Sequence, residues 1–138
     1  MRTIRNSFVT VSADCPARAG IIPATGGSMP TLPAIQYALL SAGPYRYDHE
    51  DLIWEVHRAH KDVLDGPDLA AAREHLLSRP HPCLRASALA KRYGWGAHYD
   101  AAGRIAIYGM ESARYRELAA SDGLAGLTVV QAMRSKRA

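Results

Sequence analysis

Between Cys83 and Ser112 a histidine, a tyrosine and several cations lie close enough in sequence to form one chemical site. His98 is the residue able to exchange a proton near neutral pH, and Tyr108 offers a phenol beside it. Arg85, Lys91 and Arg92 lead into this pair, with Ser87 among them and Arg104 just after His98. Cations and a hydroxyl in that company suit a phosphate or carboxylate. The expected chemistry is therefore an anionic group held by Arg85, Ser87, Lys91, Arg92 and Arg104, with His98 and Tyr108 as the catalytic pair that moves a proton.

The elements that must position these residues are a short helix and a hairpin. Ser87 can cap a helix over residues 88–93, with Gly94 free to take the left-handed closing conformation. From Trp95 the pattern has period two, and Asp100-Ala101-Ala102-Gly103 suits a type I turn with Gly103 in the bulge position. That turn pairs Tyr99 with Ile105, Ala97 with Ile107 and Trp95 with Gly109 on a core face. Gly96, His98, Ala106 and Tyr108 then share the other face, where two small residues beside an imidazole and a phenol make a shallow recess. Lys91 and Arg92 are expected to overhang it. The plainer reading is that the two cations favour the helix dipole, Tyr108 shields Gly96 and His98 satisfies a neighbour.

Other candidate chemistry is weaker. His57 and His60 are three apart on one helix, and Glu50 or His75 could join them as metal ligands, but the spacing is not that of a zinc protease and no metal is expected. Gly26, Gly27 and Ser28 lack the lysine of a phosphate-binding loop. Cys15 and Cys83 are too few for a disulfide scaffold and suit packing at loop junctions. Arg85 is near Cys83 in sequence and is the one local reason to consider a reactive thiolate. No cofactor is implied.

With 138 residues, 48% apolar and 22% charged, the chain has the size and composition of one globular domain, residues 1–138. Its apolar runs fall far short of the roughly 18 to 20 residues of a membrane span, and the N-terminus lacks a signal-peptide core, so a cytoplasmic protein with no membrane partner is expected. The net charge is +4, but Arg2 and Arg5 supply two of those charges and Arg134, Lys136 and Arg137 three, which leaves the body at −1. Residues 46–74 carry eight acids against four bases, whereas residues 79–92 hold Arg79, Arg85, Lys91 and Arg92 and no acid. The body is not the uniformly basic domain that nucleic acid selects.

In chain order, residues 6–13 suit a strand, and residues 16–30 form a Pro/Gly-rich loop long enough to be a lid. Thr31 can cap a helix to residue 42 with Leu32, Ile35, Leu39 and Leu40 facing the core. Asp48 with Asp51 makes a variant capping box for a second helix bearing Leu52, Ile53, Val56, His60 and Val63. Pro67 starts a third helix to residue 78 on Leu69, Ala72, Leu76 and Leu77, which the prolines at 80 and 82 terminate. Ser112 caps another helix with Tyr115, Leu118 and Ala119 inward, and residues 127–130 read as a last strand. The predicted class is α+β: a small antiparallel sheet of N-terminal strand, central hairpin and C-terminal strand, packed against three to five helices.

The blocks N-S-F-V-T-V-S-A-D-C-P, P-Y-R-Y-D, K-R-Y-G-W-G-A-H-Y-D, G-R-I-A-I-Y-G-M-E-S and the terminal A-M-R-S-K-R-A resemble a family of small bacterial and fungal proteins catalogued as domain of unknown function 6157. The resemblance spans nearly the whole chain and brings no activity with it. It departs at Ala88, where the family often has proline after the serine. It implies that the basic tail, residues 134–138, belongs to the module.

Two function classes follow. In the first the protein binds an anionic small molecule and is an enzyme if a reaction follows binding, with the 16–30 loop or the basic tail as a lid. In the second K-R-Y-G-W and the tail form a nucleic-acid or protein interaction module, a less favoured partner class given the body charge. A homo-oligomer is compatible with either.

Overall fold

Phe8 and Tyr99 are the bulkiest side chains fully sealed from solvent, and they point to opposite faces of one sheet. The computed structural model describes residues 4–24, 31–61 and 68–135. Strands β1 (Ser7–Thr10), β2 (Trp95–Tyr99), β3 (Ile105–Gly109) and β4 (Thr128–Gln131) form a single sheet in the order β3-β2-β1-β4. The fold is α+β.

The hairpin has the register its turn dictates, with Tyr99 opposite Ile105, Ala97 opposite Ile107 and Trp95 opposite Gly109. The Asp100 carboxylate accepts from the amides of Ala102 and Arg104, and Gly103 takes a φ of +82° to close the turn. The β1–β2 ladder is also antiparallel, but β4 joins β1 in parallel, so the sheet is mixed and not wholly antiparallel. The cause is helix α5 (Ala113–Ala119), which carries the chain from β3 back to the starting end of the sheet. A helical crossover delivers a parallel strand.

One face is covered by α1 (Leu32–Ala42), α2 (His49–Lys61), a 3-10 turn at Leu84–Ala86 and the short α4 (Ala88–Lys91). Val9, Ala97, Tyr99 and Ile105 meet Leu40, Leu52, Leu84 and Leu89 there in the main core. Thr31 caps α1 through the amide of Ala34, and Asp48 and Asp51 exchange amide bonds as the capping box requires. Two expected core stripes are thinner than predicted. Leu32 is 48% exposed, and α3 (Leu69–Leu77) buries none of its residues, leaning on α2 through an ion pair of 2.9 Å between Arg73 and Asp51. Val63 and Pro67 lie outside the described residues.

The other face is covered by α5. Ser112 caps it through Tyr115 N, Leu118 is buried, and the Tyr115 ring meets Phe8 edge-on at 5.2 Å. The Tyr115 hydroxyl accepts from the amide of Val11 at 2.9 Å. Residues 16–24 have no regular structure but are tied down, since Ile21 N donates to Tyr93 O and Trp95 Nε1 donates to Ile21 O, both at 2.8 Å. Gly26, Gly27 and Ser28 lie outside the described residues.

Gly96 is what allows α5 to settle. A β-carbon there would stand 2.7 Å from both the Phe8 and Tyr115 rings. Gly96→Ala is therefore expected to cost about 1–3 kcal/mol through overpacking, read as a lowered urea midpoint. Tyr115→Ala in the same chain should recover part of the loss, and a neutral Gly96→Ala would refute this packing.

Candidate functional site

His98 lies on the sheet face opposite the main core and is half-buried. Its Nδ1 is 2.7 Å from the Tyr45 hydroxyl, which in turn is 2.8 Å from the hydroxyl of Tyr108. Tyr45 belongs to the turn between α1 and α2, and it takes a left-handed φ of +58°. A tyrosine rarely adopts this conformation, at a cost of order 1–3 kcal/mol. The backbone holds it there: Tyr45 N donates to Ile105 O, and Ile105 N donates to Tyr47 O, both at 2.8 Å. The Tyr45 ring stands perpendicular to the imidazole with centroids 5.6 Å apart.

Arg114, in the first turn of α5, pairs with Glu117 at 3.1 Å, and its charge lies near enough to Tyr108 and Tyr45 to act on both phenols. A guanidinium only donates. With the ring proton on Nε2, Tyr45 O–H donates to Nδ1 of His98 and Tyr108 O–H donates to Tyr45, an order that leaves the Tyr108 oxygen facing the Arg114 charge. Burial, followed by the Arg114 charge, holds His98 below its ordinary pKa of 6.5, with Asp100 partly offsetting them, so the ring is neutral at neutral pH. Burial and the bond to Tyr108 push the Tyr45 phenol well above its ordinary range, so it keeps its proton.

The sequence-predicted site residues are only partly brought together. His98 and Tyr108 meet, through Tyr45. Lys91 and Arg92 do not overhang them: α4 packs through Leu89 and Ala90 against the core face, leaving the sheet between these cations and the imidazole. The expected recess beside Gly96 is filled by the Phe8 and Tyr115 rings. Arg85 holds the end of β4, its Nε donating to Gln131 O at 3.0 Å and its carbonyl accepting from Met133 N at 2.9 Å. Ser87 is buried as the α4 cap, accepting from Leu89 N and donating to Gln36 Oε1 at 2.6 Å. Arg104 is exposed in the hairpin turn.

Among the described residues no three His, Cys, Asp or Glu side chains gather in a metal-binding geometry, and His57 stacks on Trp54. In the tail, Ser135 N donates to the Asp14 carboxylate, and residues 136–138 lie outside the described residues.

The chain matches the model of a family of unknown function, DUF6157, over residues 2–138. It belongs to that family. No curated protein and no solved structure matches it.

Sequence reasoning missed two members of the cluster in this DUF6157 chain, Tyr45 and Arg114. Arg114 carried a signal, since a cation in a helix's first turn opposes the dipole and needs a local partner. Tyr45 carried less, because nothing local announces a left-handed tyrosine after Gly43-Pro44.

The neutral imidazoles give stability a pH dependence. Burial lowers the pKa of His49 as it does that of His98. The unfolded chain then binds protons near pH 6.5 that the folded chain refuses, so stability is full above that pH and falls on acidification. Asp51, held below its ordinary 3.8 by Arg73 and Asp48 against an opposing burial effect, enters only at lower pH. The urea midpoint is expected to drop between about pH 7 and pH 5, and His98→Gln and His49→Gln should each flatten that slope. An unchanged slope in both variants would contradict the assignment.

Proposed function

We propose that this protein binds a small anionic molecule, bearing a phosphate or carboxylate, at the Tyr45–His98–Tyr108 cluster, with Arg114 as the anion-holding cation. The observation that carries this reading is the Tyr45 hydroxyl bridging His98 Nδ1 at 2.7 Å and the Tyr108 hydroxyl at 2.8 Å beside a guanidinium. Arg114 is exposed and planar, suited to fork a carboxylate or phosphate. His98 Nε2–H donates to the bound anion.

If that proton passes to the ligand, the ring is resupplied at Nδ1 from Tyr45, and Tyr45 from Tyr108. The negative charge then rests on the Tyr108 oxygen beside Arg114. This equips the site for general acid chemistry, in the role expected for the His98–Tyr108 pair. The cation differs from the expected ones. An interaction module would need a continuous basic face, and the predicted cations are divided, with Arg85 committed to the Gln131 carbonyl.

The test is an NMR titration of the His98 ring with inorganic phosphate and, separately, with acetate. A saturable shift and a raised His98 pKa are expected, with binding weakened roughly 10- to 100-fold by Arg114→Gln and unaffected by Lys91→Gln or Arg92→Gln. A His98 signal indifferent to both anions, or binding indifferent to Arg114→Gln, would overturn the proposal.

A further inference from the structure

A second feature lies on the other side of the sheet. Between α1, α2 and the segment 81–88 there is a cavity of about 450 Å3, within the size range of small-molecule sites. Its walls are mostly apolar, including Leu32, Leu52, Val56, Leu76 and Leu84, and none of its lining residues is Lys, Arg, Asp or Glu. The exposed Leu32 is accounted for as part of its rim.

Several polar groups in the lining are already committed. The Ser87 hydroxyl accepts from Leu89 N and donates to Gln36 Oε1, and His81 Nε2 bonds the carbonyl of Leu76 at 2.8 Å. The remaining polar lining is Gln36 and the histidines His49, His57 and His60, of which only His49 is buried. The Gln36 amide, its oxygen taken by Ser87, has an NH2 without a partner. His49, 7% exposed, lies near the His81 backbone, and burial keeps the ring neutral, so one of its nitrogens is an acceptor. No described side-chain nitrogen or oxygen is both sealed and unpartnered. These free atoms are therefore accessible, and both residues line the cavity.

We infer that this cavity is a second ligand site, for an uncharged and largely apolar organic molecule bearing a carboxamide or lactam group. Such a group presents a carbonyl acceptor to the Gln36 NH2 and an N–H donor to His49. A full charge is disfavoured, because the lining holds no Lys, Arg, Asp or Glu to pair with it, the buried His49 is neutral, and desolvation of an ion is costly. The class is thus opposite in charge character to the ligand of the Tyr45 cluster, and the inference does not rest on that reading.

Cys83 lines the cavity and Cys15 does not, which provides an internal control. The full chain is treated with iodoacetamide in the presence of benzamide, hexanamide or 2-piperidone, and modification at each cysteine is followed by peptide mass spectrometry. At least one of the three should slow alkylation of Cys83 severalfold with Cys15 unchanged, and benzoate should need at least roughly tenfold higher concentration, about 1.4 kcal/mol, for the same protection. Ala86→Leu, which narrows the cavity from its lining, should abolish protection, and Gln36→Leu should weaken it about tenfold if its thermal unfolding stays cooperative. Failure of all three neutral probes at millimolar concentration, equal protection by benzoate, or equal protection of Cys15 would overturn the inference.

Discussion

Strand β2 is hydrogen-bonded along both edges, and the rest of the molecule is placed by the face to which each of its residues points. Tyr99, on the core side, is fully buried, and its hydroxyl accepts the amide of Leu84 at 3.3 Å, fixing the segment that carries Cys83 and Ser87. Ala97, beside it, leaves room for the helices above. On the reverse side Gly96 admits Tyr115 and Phe8, and His98 is left half-buried at the margin of α5. A shift of one residue in register would exchange these roles completely. The turn at Asp100–Gly103 sets the register, so a local hydrogen-bond pattern decides where both candidate sites stand.

That dependence explains which parts of the fold were legible in the sequence. The hairpin register, the Ser87 and Ser112 caps, the Asp48–Asp51 box and the left-handed glycines at 94 and 103 are determined within a few residues, where turn and cap chemistry has few solutions. The face on which α4 lies is not local. Gly94 permits a reversal between α4 and β2 but does not say to which side, and the burial of Leu89 and Ala90 decides it. Lys91 and Arg92 went with them. The parallel β4 was likewise invisible without knowing that α5 crosses the sheet.

The site follows the same rule. His98 and Tyr108 were recoverable because a hairpin makes their proximity a matter of counting. Tyr45 is 53 residues from His98, and its place depends on two backbone bonds to Ile105 that extend the edge of β3. Charge was a poor guide for a related reason. Arg85 looked like a ligand-binding cation and serves backbone carbonyl capture at the end of β4, whereas Arg114, from a helix that looked structural, brings its charge near the phenols. Formal charge says little until the acceptors around it are known.

The turn between α1 and α2 joins the two regions that carry free chemistry. Gln36 sits on α1 and His49 opens α2, both at the cavity, while Tyr45 between them crosses the sheet edge to His98. A glycine or asparagine at position 45 would relieve the left-handed backbone, and either would lose the phenol that links His98 to Tyr108. Packing does not require this arrangement, since Tyr45 belongs neither to the main core nor to the residues packed against it. Strain retained outside the main core, at a residue that completes a hydrogen-bonded chain of titratable groups, is a combination common at functional positions. The His98 cluster thus differs from the cationic run, whose members are spread over separate elements and, in Arg85, already bonded to backbone.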